Sequence, residues 1–379
     1  MSIDALLKEK KIIVCCGAGG VGKTTVSSAL ALRAAQAGRK VLVCTIDPAK
    51  RLADSLGLQS LGNTETRIGQ DVLDKAGLSI SGELWAMMLD SKTTFDDLIR
   101  RIAPAPETAE RILKNAFYQN ITTALAGSQE FSATEKLYEL STKNVYDLIV
   151  LDTPPSRHAL DFLDAPNRLK AFLDASVIQW MVKPYLAAGR MGFRFINSSA
   201  KLAFRILEKA TGYQTLADIA DFFLVFEGLY DGFAARATKV RDLMGHTDTA
   251  FVLVTTPQSP ALLDAQYFLT RLTEEGMPLG EVIFNRVSVN SDHMTSEDVQ
   301  EAAEKAAAKL PDHAEIILAL AKNLRLTILL AEADRRSINR FLSRAREGVG
   351  NARVPFLRSD VHDLNGLSTI ASFLTGEEE

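Results

Sequence analysis

Short runs of apolar, often β-branched residues recur along this chain, each ending at glycine, aspartate or proline, and they alternate with stretches of helical spacing. The first run, "KIIVCC", stops at glycines. After it, "VSSALALRAAQAGRK" has apolar positions at Val26, Leu30 and Ala34 and closes at Gly38. That pattern predicts strand, loop and helix. "KVLVCTIDP" follows as a second buried strand, so the chain opens on a βαβ unit, which calls for a parallel sheet and a right-handed crossover. Further buried strands are predicted at "YDLIVLDTPP", "TAFVLVTTP" and "GEVIFNRV", and "ARVPFLRSDV" reads as a last strand or a loop. Two stretches, about residues 90–142 and 157–240, carry helical pattern and few strand signals. No Pro/Gly/Ser-rich linker sets them apart, so they read as insertions into one sheet domain. No internal repeat is visible, which excludes two tandem nucleotide-binding halves.

Composition narrows the class. With 47% hydrophobic and 24% charged residues, the chain has the balance of a globular protein, not of a disordered one. Its net charge of −4 supplies no global basic field, so no nucleic-acid partner is expected. The N-terminal "MSIDALLKEKKIIVCC" lacks the ordered regions of a secretory signal, and no uncharged apolar run is long enough to span a bilayer. A cytoplasmic protein with at most peripheral membrane association is expected. Cys15, Cys16 and Cys44 all sit in apolar strand-like runs without a CxxC pair, which suits reduced, buried thiols.

The candidate chemistry begins in the first loop. Gly17-Ala18-Gly19-Gly20-Val21-Gly22-Lys23-Thr24 satisfies G-x-x-x-x-G-K-[ST] between a strand and a helix. Glycines let backbone N–H groups turn towards phosphate oxygens, and the helix N-terminus adds a favourable dipole. Lys23 would neutralise the β/γ-phosphates, and the Thr24 hydroxyl would bind Mg²⁺. A magnesium nucleotide site also needs a carboxylate at a neighbouring strand end, and "LIVLDTPP" supplies Asp152. A second strand-end carboxylate, Asp47, has two readings open on residue physics: it faces the γ-phosphate, or it caps a helix whose first residue is Pro48.

Beyond these motifs, "GAGGVGKTT", "TIDPAKRLADSLG", "VLDTPPSRHALDFL", "IFNR" and "VPFLRSDVHDLNGL" occur in an order that resembles the ArsA/Get3 ATPases, a deviant-Walker-A branch related to MinD and ParA. The resemblance covers nearly the whole chain. It implies an α/β, three-layer P-loop NTPase fold with a mostly parallel central sheet and an inserted helical subdomain. It further implies a single ATPase domain over 1–379, with ATP and Mg²⁺ as cofactors. The loop from Gly17 through Thr25 would hold the nucleotide, Asp47 would activate water, and Thr24 and Asp152 would hold the metal. Asn285 would contact adenine and Pro355 would lie against the base; without the resemblance, Asn285 reads as a strand-end turn residue. His158 would pass nucleotide state to the helical region. The partners implied are a second subunit and the hydrophobic helix of a membrane-protein client. Val177, Ile178, Trp180, Met181, Phe193 and Phe195 could line an apolar client groove, beside basic residues such as Lys183 and Arg190, although such apolar positions also suit an ordinary core.

Three departures from the family pattern stand out. Ala18 occupies a position where relatives carry a lysine that reaches a partner's phosphates, so a symmetric dimer would lack one cation per nucleotide. An arginine finger from Arg157, at a position where relatives have glycine, or pairing with a lysine-bearing paralogue would fill that gap, while Arg157 also reads as an exposed charge with no role. The cysteines fit neither the inter-subunit CxxC zinc of some relatives nor a thiolate arsenite site, so structural zinc is not expected and anion efflux is the weaker alternative.

Overall fold

The computed structural model describes residues 2–46, 51–125, 129–153, 218–219, 221–223, 225–226, 228–290, 294–345 and 349–377. These fall into two compact units, one from the described residues within 1–87, 146–159 and 245–379, the other from those within 88–145 and 160–244.

The first unit is built on an eight-stranded sheet. Its strands are β1 (Ile12–Cys16), β2 (Lys40–Thr45), β3 (Thr66–Arg67), β4 (Glu83–Met88), β5 (Leu148–Asp152), β6 (Thr249–Thr255), β7 (Leu279–Val287) and β8 (Gly350–Pro355), in the order β3-β4-β2-β5-β1-β6-β7-β8. The β2–β5, β5–β1, β1–β6, β6–β7 and β7–β8 pairs are parallel, and β3–β4 is antiparallel. The expected three-layer, mostly parallel fold is therefore the one found. Its central strands are apolar along their whole length because both faces are covered. Ile13, Cys15, Val43, Val150 and Val252 pack with α1 (Ile3–Glu9), α2 (Lys23–Gln36) and α13 (Leu364–Thr375). On the other face α10 (Ser259–Glu274) lies against β6 and β7, and Phe284 meets Phe341 of α12 (Ala314–Leu342) edge-on at 5.6 Å.

β3 and β4 were not anticipated from sequence. "ELWAMM" lacks β-branched residues, and its β-structure comes from its neighbours in the sheet. Completing the first unit are α3 (Arg51–Ser55), α4 (Gln70–Lys75) and α11 (Ser296–Lys309), the last opened by a Thr295–Asp298 capping box. The second unit is helical among its described residues: α5 (Ser91–Ile102), α6 (Pro106–Lys114), α7 (Ala116–Leu125), α8 (Gln129–Lys143) and α9 (Tyr230–Gly245). Its core joins Leu98, Ile112, Tyr118, Phe222, Phe226 and Phe233. No described helix is long and apolar enough to cross a membrane.

Candidate functional site

The glycine loop leaves the end of β1 and enters α2 in a conformation that its sequence makes possible. Gly17 has φ +149°, and a Cβ there would collide with the Val254 carbonyl of β6. Gly22 has φ +94°, and a Cβ there would strike the Asn285 amide. Both positions exclude a side chain, so the loop can lie flat across the ends of β1, β6 and β7. Lys23, 6% exposed, points back over it, and its Nζ donates to the Ala18 carbonyl at 2.9 Å.

Asp152 is the centre of the polar arrangement beneath the loop. The sheet register pairs it with Cys15 of β1 and Thr45 of β2, so β5 presents it between those strands at their C-terminal ends. Its Oδ2 accepts the Thr24 hydroxyl at 2.6 Å and the Thr45 hydroxyl at 2.8 Å. Next to it, Thr153 Oγ1 donates to the Cys15 carbonyl at 2.8 Å. The result is a buried carboxylate with two hydroxyls, all hard oxygen donors, at the base of a helix N-terminus. That donor set suits Mg²⁺ and offers nothing to a thiophilic metal.

Around this centre lies a cleft of about 780 Å³. Gly19, Gly20, Gly22, Lys23, Thr24, Thr25 and Asp152 line it, as the loop motif anticipated. It is also lined by Arg51, Asp54 and Ser55 of α3, by Arg286, and by Asp360, Val361 and His362 after β8. Sequence reasoning singled out none of these seven outlying residues, because tertiary pairing and not local pattern brings them to the loop. The segments around "RLAD", "IFNR" and "RSDVH" carry the signal that the sequence offers for them.

Asn285 and Pro355 are close to the site but outside the cleft lining. Asn285 is 7% exposed; its Nδ2 donates to the Val21 carbonyl at 2.9 Å and its Oδ1 accepts the Arg286 N–H at 2.9 Å. The pairing of β7 with β8 shifts between Phe284 and Val287, and Arg286 has φ +57°. Asn285 thus clamps the loop to a bulge that turns Arg286 towards the cleft. Pro355 pairs with Val287 at the end of β8. Asp47, Pro48, Arg157, His158 and the apolar and basic positions between 177 and 205 lie outside the described residues.

All three cysteines are buried, and none is joined in a disulfide. Burial pushes the Cys15 thiol far above its ordinary range and Cys16 up to about 12. Cys15 and Cys16 thus fill the core as neutral thiols. Among the described residues no group of three or more His, Cys, Asp or Glu is arranged to hold a metal ion.

Comparison with known proteins accords with this geometry. The profile of the family described as anion-transporting ATPase matches residues 10–315. A putative arsenical pump-driving ATPase of Halobacterium salinarum is 32% identical over 170 residues, 44% of this chain and 26% of that protein, so the match spans about a quarter of that relative's length. The ATPase GET3 of Malassezia globosa is 26% identical over 285 residues, 74% of this chain and 73% of that protein. An ATPase ASNA1 homolog of Plasmodium berghei is 26% identical over 377 residues, covering 94% and 85% of the two chains. With most of its length matched by the family profile, this chain belongs to the anion-transporting, ArsA/Get3-type family of ATPases.

Proposed function

We propose that this chain binds and hydrolyses ATP with Mg²⁺ and acts as a dimeric switch that couples nucleotide state to the binding of a hydrophobic or membrane-protein client. The observation that carries the reading is the joining of Thr24, Thr45 and Asp152 beneath a glycine loop capped by Lys23. Gly17 through Thr25 hold the phosphates through backbone N–H groups. Lys23 neutralises the β/γ-phosphates, and Thr24 and Asp152 are the residues that would hold the metal. Magnesium bound there supplies charge neutralisation on the terminal phosphates. Asp47 accepts a proton as water attacks the γ-phosphorus and the bond to ADP breaks. Asn285 and Pro355 flank the base. The helical unit, with the segment between 157 and 240, forms the client-binding subdomain of a single ATPase domain, and the protein works in the cytoplasm.

Ala18 favours a second reading: a nucleotide-gated subunit that hydrolyses ATP only beside a lysine-bearing paralogue. Arsenite or anion efflux, suggested by the name of the Halobacterium relative, is less favoured because the Cys15 and Cys16 thiols are buried and held protonated.

Steady-state ATP hydrolysis by the purified chain, with and without Mg²⁺ and beside Asp47→Asn and Asp152→Asn, tests the reading. The expected result is Mg²⁺-dependent turnover that falls by about 100-fold or more in both variants. ATP bound without turnover would select the second reading. No binding of ATP at all would overturn both.

A further inference from the structure

The glycine loop carries a single basic side chain, Lys23, since Ala18 packs against the core and contributes only its carbonyl to the lysine. A nucleoside triphosphate carries more negative charge than one lysine and one divalent cation can balance. The rest of the cleft shows where the remaining charge comes from. Besides Lys23 it contains two cations, Arg51 and Arg286, against the carboxylates of Asp54, Asp152 and Asp360. Without the arginines the cleft would be net negative and would repel the anion that it is built to hold.

The two arginines approach from opposite sides. Arg286 belongs to β7, beyond β6 from the loop strand β1, and shares its side with the residues that follow β8. Arg51 follows β2, which lies next to β5 and whose Thr45 hydroxyl binds Asp152. It opens α3, and the spacing of Arg51, Asp54 and Ser55 at i, i+3 and i+4 turns one face of that helix to the cleft. Arg51 is exposed there and forms no ion pair among the described residues. Its guanidinium is therefore available in the cleft that Asp152 also lines, on the side of β2, the strand next to β5.

We propose that Arg51 contacts the terminal phosphate of the bound nucleoside triphosphate within the same subunit, taking over the charge-balancing role that Ala18 leaves open. This rests on the nucleotide-site reading above and adds a residue to it. A planar guanidinium suits a phosphate oxygen pair, and the contact exists only when the third phosphate is present. Arg51 thus discriminates triphosphate from diphosphate, which is the discrimination that a nucleotide-driven switch needs.

The test is equilibrium binding of a slowly hydrolysed ATP analogue and of ADP, each with Mg²⁺, to the full chain and to Arg51→Ala, Arg51→Lys and Lys23→Ala. Arg51→Ala is expected to weaken the ATP analogue by about 10- to 100-fold while changing ADP by less than about threefold, with Arg51→Lys recovering part of the loss. Equal loss for both nucleotides, or no loss for either, would overturn the proposal. Lys23→Ala separates the two levels of the argument. If it loses both nucleotides while Arg51→Ala binds like the parent, only the Arg51 assignment fails. If it binds both like the parent, the nucleotide site itself has been misread and the Arg51 assignment falls with it.

Discussion

Glu281 is a carboxylate in the wrong solvent. It sits on β7 opposite Val252 of β6 and Gly350 of β8, is 3% exposed, and its side chain lies where a Cβ at position 350 would have to be. Its Oε2 accepts no hydrogen bond from the described residues. Burial pushes its pKa from 4.5 up to about 7. The folded protein therefore holds a proton there that the unfolded chain releases between about pH 4.5 and 7. Stability from this group is fully present below about pH 4.5 and is lost as pH rises through about 7. Glu281→Gln keeps the shape and removes the titration. It should be stabilising by roughly 1–3 kcal/mol at pH 8 and nearly neutral at pH 4.5. Urea unfolding at the two pH values reads this directly, and equal effects at both would refute the assignment.

Between elements of the helical unit, one charged network joins three helices. Glu135 of α8, whose side chain is 1% exposed, receives Arg236 Nε of α9 at 2.9 and 2.7 Å, and Arg101 of α5 approaches it at 3.7 Å. The Arg236 guanidinium also lies 4.0 Å from the Tyr138 ring centroid. One turn on, burial would by itself raise the Glu139 pKa, but Lys143, Lys136 and Arg101 outweigh it and hold the group at about 2. Arg236→Ala strands the Glu135 charge in the interior and should cost roughly 3 kcal/mol. Replacing Arg236 and Glu135 together by Met should cost much less, because no charge is then left buried. Thermal unfolding of both variants decides it; a double variant as unstable as the single one would show that the ion pair is not the source. Nothing in the local pattern of α8 announces this network, because its partners come from helices far apart in sequence. The loop from Gly17 to Thr24 was legible for the opposite reason: its strand, glycines, lysine and threonine are contiguous. β4 was not legible, since Leu84, Ala86 and Met87 suit a helix as well as a strand and only the sheet decides between them. Likewise Arg51, Arg286 and His362 look like ordinary surface residues until the parallel order of the strands gathers their loops at one end of the sheet.

At the scale of the molecule, the chain leaves the sheet unit after β4, returns at Tyr146, leaves again after β5, and returns at Gly245. Asp152 is the last residue of β5, so the proposed metal-site carboxylate stands in sequence just before the second excursion. A switch of the proposed kind requires that a nucleotide held by the sheet unit change the stability of the helical unit; a simple binding protein does not. Hydrogen exchange with and without the Mg²⁺–ATP analogue separates the two. Binding alone should slow exchange at 17–25, 51–55 and 360–362, and at about 100 times the dissociation constant it should stabilise the protein by about 2.7 kcal/mol. The switch adds a second signature, altered exchange in α5, α8 and α9, which line no part of the cleft. Protection confined to the first set would leave the nucleotide site standing and remove the coupling. Changes in both sets with the ATP analogue, and in the first alone with ADP, would tie the coupling to the terminal phosphate. They would also make Arg51→Ala the variant in which it should vanish.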